Sequence, residues 1–87
     1  MRVKVQKREI EVTNGDRVLF NGACYIMQDS EYFDGWYRCN PTLAKVKAQK
    51  MIKEGVLVYV GKRNYNRSNN QYDLYRFNTE GKEDKVY

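Results

Sequence analysis

The chain has 87 residues, with 16 Lys and Arg against 11 Asp and Glu, and no histidine. That length suits one domain, and a 41% hydrophobic, 14% aromatic composition supports a real core and argues against disorder. The missing imidazole removes the commonest general base and metal ligand, and two cysteines alone cannot complete a tetrahedral zinc site, so neither catalysis nor a metal or other cofactor is expected.

Residues 2–12 read as a Val- and Ile-rich strand. Its apolar parity changes from Val3 and Val5 to Ile10 and Val12, which predicts a bulge or break near Lys7, Arg8 and Glu9. Thr13-Asn14-Gly15-Asp16 is a turn signal. Val18-Leu19-Phe20 follows, then Asn21-Gly22, which suits a type I′ hairpin, and then a strand over residues 23–28. The first third is therefore expected to be an antiparallel β-meander curling towards a half-barrel. Residues 29–35 are polar and read as a loop, and Trp36 to Cys39 form a candidate strand.

The period then changes. Asn40 suits an N-cap, Pro41 the first helical position and Gly55 the position after the last turn, so a helix is expected over residues 41–54. Ala44, Ala48, Met51 and Ile52 share an arc of about 100°, with lysines around the rest. Leu43 and Val46 fall outside that arc; packing under a neighbouring loop is the favoured expectation for both, with a place at a contact surface as the alternative. Residues 56–62 are apolar on both faces, which predicts an interior strand. A polar basic loop over residues 61–70 leads into a returning strand over 71–77, and residues 78–87, poor in apolar groups, are expected to fray. The fold class that emerges is α+β: one domain over residues 1–77, with a central helix and a C-terminal β-hairpin carrying a long basic tip.

Charge is unevenly placed. Residues 1–39 carry six bases and six acids, residues 40–70 seven bases and one acid, and residues 71–87 three bases and four acids. Exposed surfaces usually mix the two signs. The clustering points to a polyanion, or to an acidic surface on a partner protein. Lys45, Lys47, Lys50 and Lys53 on the helix, with Lys62, Arg63 and Arg67 near the hairpin tip, are the candidate phosphate contacts. Tyr65 is placed to stack on an unpaired base. The helix offers lysines rather than the polar residues that read base edges, which favours RNA or a single strand and sequence-tolerant binding.

Residues 43–63, from Leu43 to Arg63, resemble the helix-to-strand step of the S4 RNA-binding domain, with Ala48, Ile52, Gly55, Val58, Gly61, Lys62 and Arg63 at the matching places. The resemblance covers about a quarter of the chain and implies RNA contact. It departs from the family at Trp36 to Asn40, where the first helix of that domain has no counterpart.

Tyr32, Phe33, Trp36 and Tyr37 interleave with Asp29, Glu31 and Asp34. They form either ordinary core or a protein-contact patch, and the acids do not follow a calcium-loop spacing. The alternative function is thus an accessory inhibitor or adaptor of the kind viruses encode, binding an acidic surface such as that of a host nucleic-acid enzyme. No GxSxG, phosphate-cradling glycine loop or Cys–His arrangement is present. The N-terminal residues lack the apolar core of a secretion signal and no stretch approaches the roughly 20 apolar residues of a membrane span, so a cytoplasmic protein with Cys24 and Cys39 reduced is expected, a disulfide between them being the alternative.

Overall fold

Val5 stands opposite Arg8 and Arg2 opposite Glu11, so the parity change near Lys7 is a chain reversal. Strands β1 (Arg2–Val5) and β2 (Arg8–Glu11) form a hairpin whose inward residues, Val3, Val5 and Ile10, are buried. The computed structural model describes residues 1–5, 7–20, 22–28, 42–64 and 71–87. Among these it shows a small α+β fold of one helix and eight strands in two mostly antiparallel sheets.

The four N-terminal strands, expected as one meander, are divided between those sheets. β3 (Arg17–Phe20) and β4 (Tyr25–Gln28) pair with each other and, through β3, with the C-terminal hairpin. The order of this larger sheet is β5-β4-β3-β7-β6, with β5 (Thr42–Leu43), β6 (Leu57–Asn64) and β7 (Gln71–Phe77). Phe20 faces Tyr25, so four residues connect β3 to β4. That loop is wider than the two-residue turn expected from Asn21-Gly22.

The smaller sheet is completed from far along the chain. β8 (Lys85–Val86) pairs in parallel with β1. Residues 78–87, expected to fray, are instead tied down. The Tyr87 amide donates to the Lys4 carbonyl at 2.6 Å, the Arg2 amide to an Asp84 carboxylate oxygen at 2.8 Å, and the Thr79 amide to the Asn14 side chain at 3.1 Å. The Tyr87 ring is buried in the main core. One aromatic side chain outweighs the polar composition around it, because burying such a ring contributes about 2–3 kcal/mol.

Helix α1 runs over Lys45–Lys53, shorter than the expected 41–54. Thr42 and Leu43 pair with Ile26 and Tyr25, and Ala44 is the N-cap, with extended φ −57° and ψ 139° and no side-chain cap. Asn40 and Pro41, read as the helix start, lie outside the described residues, as does the candidate strand at 36–39. Leu43 is fully buried, which the strand permits and a lysine-flanked helical position would not. The helix stops where expected. Gly55 has φ +79°, and the Val56 amide donates back to the Met51 carbonyl at 2.9 Å.

Strand β6 was expected inside the sheet. Among the described strands it is an edge, paired only with β7, and Tyr59 is 50% and Val60 43% exposed. An apolar pattern on both faces reports what covers the faces and is silent about the edges. A register shift between Tyr59 and Gly61 marks a bulge at Val60. β6 continues to Asn64, so only residues 65–70 remain of the expected loop, and they lie outside the described residues.

Both sheets and the helix meet in one core. Phe77, Leu43, Met51, Leu57, Val3, Val12, Val18 and Val56 are its largest fully buried side chains. Leu19, Ile26 and Leu74 form a second, smaller cluster on the opposite face of the five-stranded sheet.

Candidate nucleic-acid interface

At about 100° per residue, Lys45, Gln49, Lys53, Val46 and Lys50 cover roughly 140° of the helix surface. All five are exposed, while Ala48 and Met51 point into the core. Lys47 stands on the flank and is half-buried. No acid lies within the helix. Glu54, just after it, is engaged by Lys85 at 3.5 Å. Lys50 and Lys53 also suit the negative end of the helix dipole. Lys45 and Lys53 are spread ~12 Å along the axis, at about 1.5 Å per residue. Val46 was expected to pack. It is 75% exposed and sits among these lysines.

The helix packs on the sheet face that carries a row of aromatic rings. The Lys45 ammonium lies 5.6 Å from the centre of the Phe20 ring. Phe20 stacks on Tyr25 at 4.6 Å, Tyr25 meets Tyr75 edge-on at 5.4 Å, and Tyr75 meets Tyr59 edge-on at 5.4 Å. These rings cross four adjacent strands, from β4 through β3 and β7 to β6. The first three are covered to differing degrees and Tyr59, at the edge, is half exposed. The Tyr75 hydroxyl is pushed up to about 12, first by burial and then by its hydrogen bond with Tyr25.

Lys62 lies at the same edge and is already partnered. Its ammonium is 3.1 Å from Asp73, and the Tyr59 hydroxyl donates to the same carboxylate oxygen at 3.3 Å. The hydrogen bond and charge of Asp73 raise the Lys62 pKa. Arg63, the next residue, turns to the other face of the strand. One of its guanidinium nitrogens donates to the Lys62 carbonyl at 2.9 Å, and the side chain is exposed.

The candidate contacts thus divide. Lys45, Lys50 and Lys53 share one exposed surface, Lys47 lies at its margin, Lys62 is neutralised by Asp73, and Arg63 stands alone at the strand edge. Tyr65 and Arg67 lie outside the described residues, as do Tyr32, Phe33, Trp36 and Tyr37 of the proposed protein-contact patch. The sequence reading missed Phe20, Tyr59, Tyr75 and Asp73, which it had absorbed into ordinary strands. The alternation of Tyr59 and Tyr75 was visible. Their direct opposition depends on the β6–β7 register, in which Tyr59 faces Tyr75.

Among the described residues there is no group of three or more Cys, Asp or Glu side chains placed to hold a metal ion, and no helix is long and apolar enough to cross a membrane. Comparison with family models, with curated proteins and with solved structures found no match.

Proposed function

We propose that this chain binds nucleic acid, RNA or a single strand in preference to duplex DNA, by laying the α1 lysines along the phosphate backbone. The observation that carries this reading is the exposed helix face, where Lys45, Lys50 and Lys53 stand without an acidic partner among the described residues. Lysines on a rigid helix suit phosphates and read no sequence, so binding is expected to tolerate many sequences. Catalysis forms no part of this reading.

Salt dependence tests it. Each phosphate contact on a single strand contributes about −0.7 to the slope of log K against log salt, so three lysines contribute about −2. Raising NaCl from about 50 to about 200 mM should then cost the native chain ~20-fold more affinity than the Lys45→Gln/Lys50→Gln/Lys53→Gln variant. Equal slopes, or no detectable binding to a mixed RNA and DNA panel at the lower salt, would sink the proposal.

A second reading draws on Val46. Phosphate binding makes no use of an apolar side chain 75% exposed amid lysines. An acidic protein surface, such as that of a host nucleic-acid enzyme, would use both. A protein partner captured from extract that persists after nuclease treatment favours this reading, and loss of every partner with nuclease removes it.

A further inference from the structure

We infer that Tyr59 is a base-stacking position, and that the nucleic acid this chain takes is accordingly one with unpaired bases. The inference rests on the proposed phosphate-binding helix and adds a second contact on the sheet beside it.

The ring is exposed, braced and aimed at a surface shared with α1. Tyr59 is 50% exposed, whereas Leu57, two residues earlier on the same face of β6, is fully buried in the core beneath the helix. The edge-on contact with Tyr75, at 65°, occupies at most one of the two faces of the Tyr59 ring. The hydroxyl is anchored on Asp73. A ring held at both its side and its tip loses little freedom when a base lands on it, which makes the contact less costly to form.

Charge at this corner fits a base better than a phosphate. Asp73 and Lys62 cancel at 3.1 Å, so the surroundings of Tyr59 are locally neutral. The unpaired cations stand to one side. Lys45 lies over Phe20 on β3, and β3 is two strands from β6, a lateral offset of ~10 Å at about 4.8 Å per strand. A short stretch of one extended strand is long enough to bridge that offset. A single strand can therefore set phosphates on the helix and turn one base onto Tyr59. A duplex keeps its bases inside the stack and cannot. Another β-strand is a poor occupant of the same edge, since the bulge at Val60 and the charged Lys62 and Arg63 interrupt regular pairing there.

The test uses the full chain and fluorescence anisotropy, with a labelled poly-U or poly-dT strand of about 12 nucleotides against a duplex of equal length at low salt. Tyr59→Leu should weaken single-strand binding about tenfold, as expected for the loss of one stacked base, while duplex affinity and the salt slope stay as they were. Tyr59→Phe, which keeps the ring but loses the Asp73 anchor, should retain most of the single-strand affinity and bind far better than Tyr59→Leu. If the native chain binds and Tyr59→Leu binds the single strand equally well, the stacking inference fails and the helix reading stands. If the native chain binds neither, both fail. Should Tyr59→Leu shift the melting transition, Tyr59→Trp decides: the larger ring tightens single-strand binding if the inference holds, and unchanged or weaker binding by a folded Trp variant overturns it.

Discussion

Replacing Tyr87 by Ala separates a docked chain segment from a frayed one. Tyr87 is 7% exposed and belongs to the main core with Val3, Val5 and Met51. Truncating a buried aromatic to Ala costs about 3–5 kcal/mol when the cavity cannot close. Residues 84–87 can be released locally while the rest stays folded, which caps the loss near the lower end, about 3 kcal/mol. A domain of this size has roughly 4–13 kcal/mol of total stability, so the effect is a large share of it. At ~4–8 °C per kcal/mol, Tm should fall by roughly 12–24 °C. Thermal unfolding followed by circular dichroism measures this directly. Amide exchange at Tyr87, whose N–H donates to the Lys4 carbonyl, should accelerate in the same variant. A Tm change below about 2 °C would refute the reasoning, because an undocked segment has nothing to lose.

Three further outcomes follow from specific contacts. The Tyr87 hydroxyl is buried beside the Glu54 carboxylate without reaching hydrogen-bond geometry, and burial first, then that charge, pushes its pKa up to about 12. The unfolded value is about 10, so the protonated hydroxyl favours the folded state below that pH, and this contribution is lost as pH rises from about 10 to about 12. Tyr87→Phe should keep the native packing and lose less Tm across that window than the native chain, and parallel pH profiles would contradict this. Gly55→Ala places a side chain at φ +79°, where nothing lies within 4 Å of the added carbon, so the cost is backbone strain alone. About 1 kcal/mol is expected by urea unfolding, and no change would mean that the turn after α1 relaxes to a negative φ. Asp73→Asn frees Lys62, and if a phosphate then reaches it the salt slope should steepen by about 0.7. An unchanged slope would place the phosphate path away from β6.

Much of the fold was legible locally. The parity change near Lys7, the turn at Asn14-Gly15, the stop at Gly55 and the strand patterns over residues 56–62 and 71–77 each mark a feature the structure contains, because turn chemistry and side-chain period are properties of neighbouring residues. The clustering of positive charge over residues 40–70 was also plain in the sequence, whereas which of those cations share one exposed surface was not. Pairing across long separations was not legible. β8 lies about 80 residues from β1 and is only two residues long, too short to leave a periodic signal. Leu43 belongs to a strand because Tyr25 is there to pair with it, although Pro41 and the alanines spoke for a helix. The β6 edge, the neutralisation of Lys62 by Asp73 and the alignment of Phe20, Tyr25, Tyr75 and Tyr59 all depend on strand order and register. Periodicity tells a strand which faces are apolar, whereas which strand lies beside it, and so which rings and charges meet, is decided only when distant segments compete for the same core.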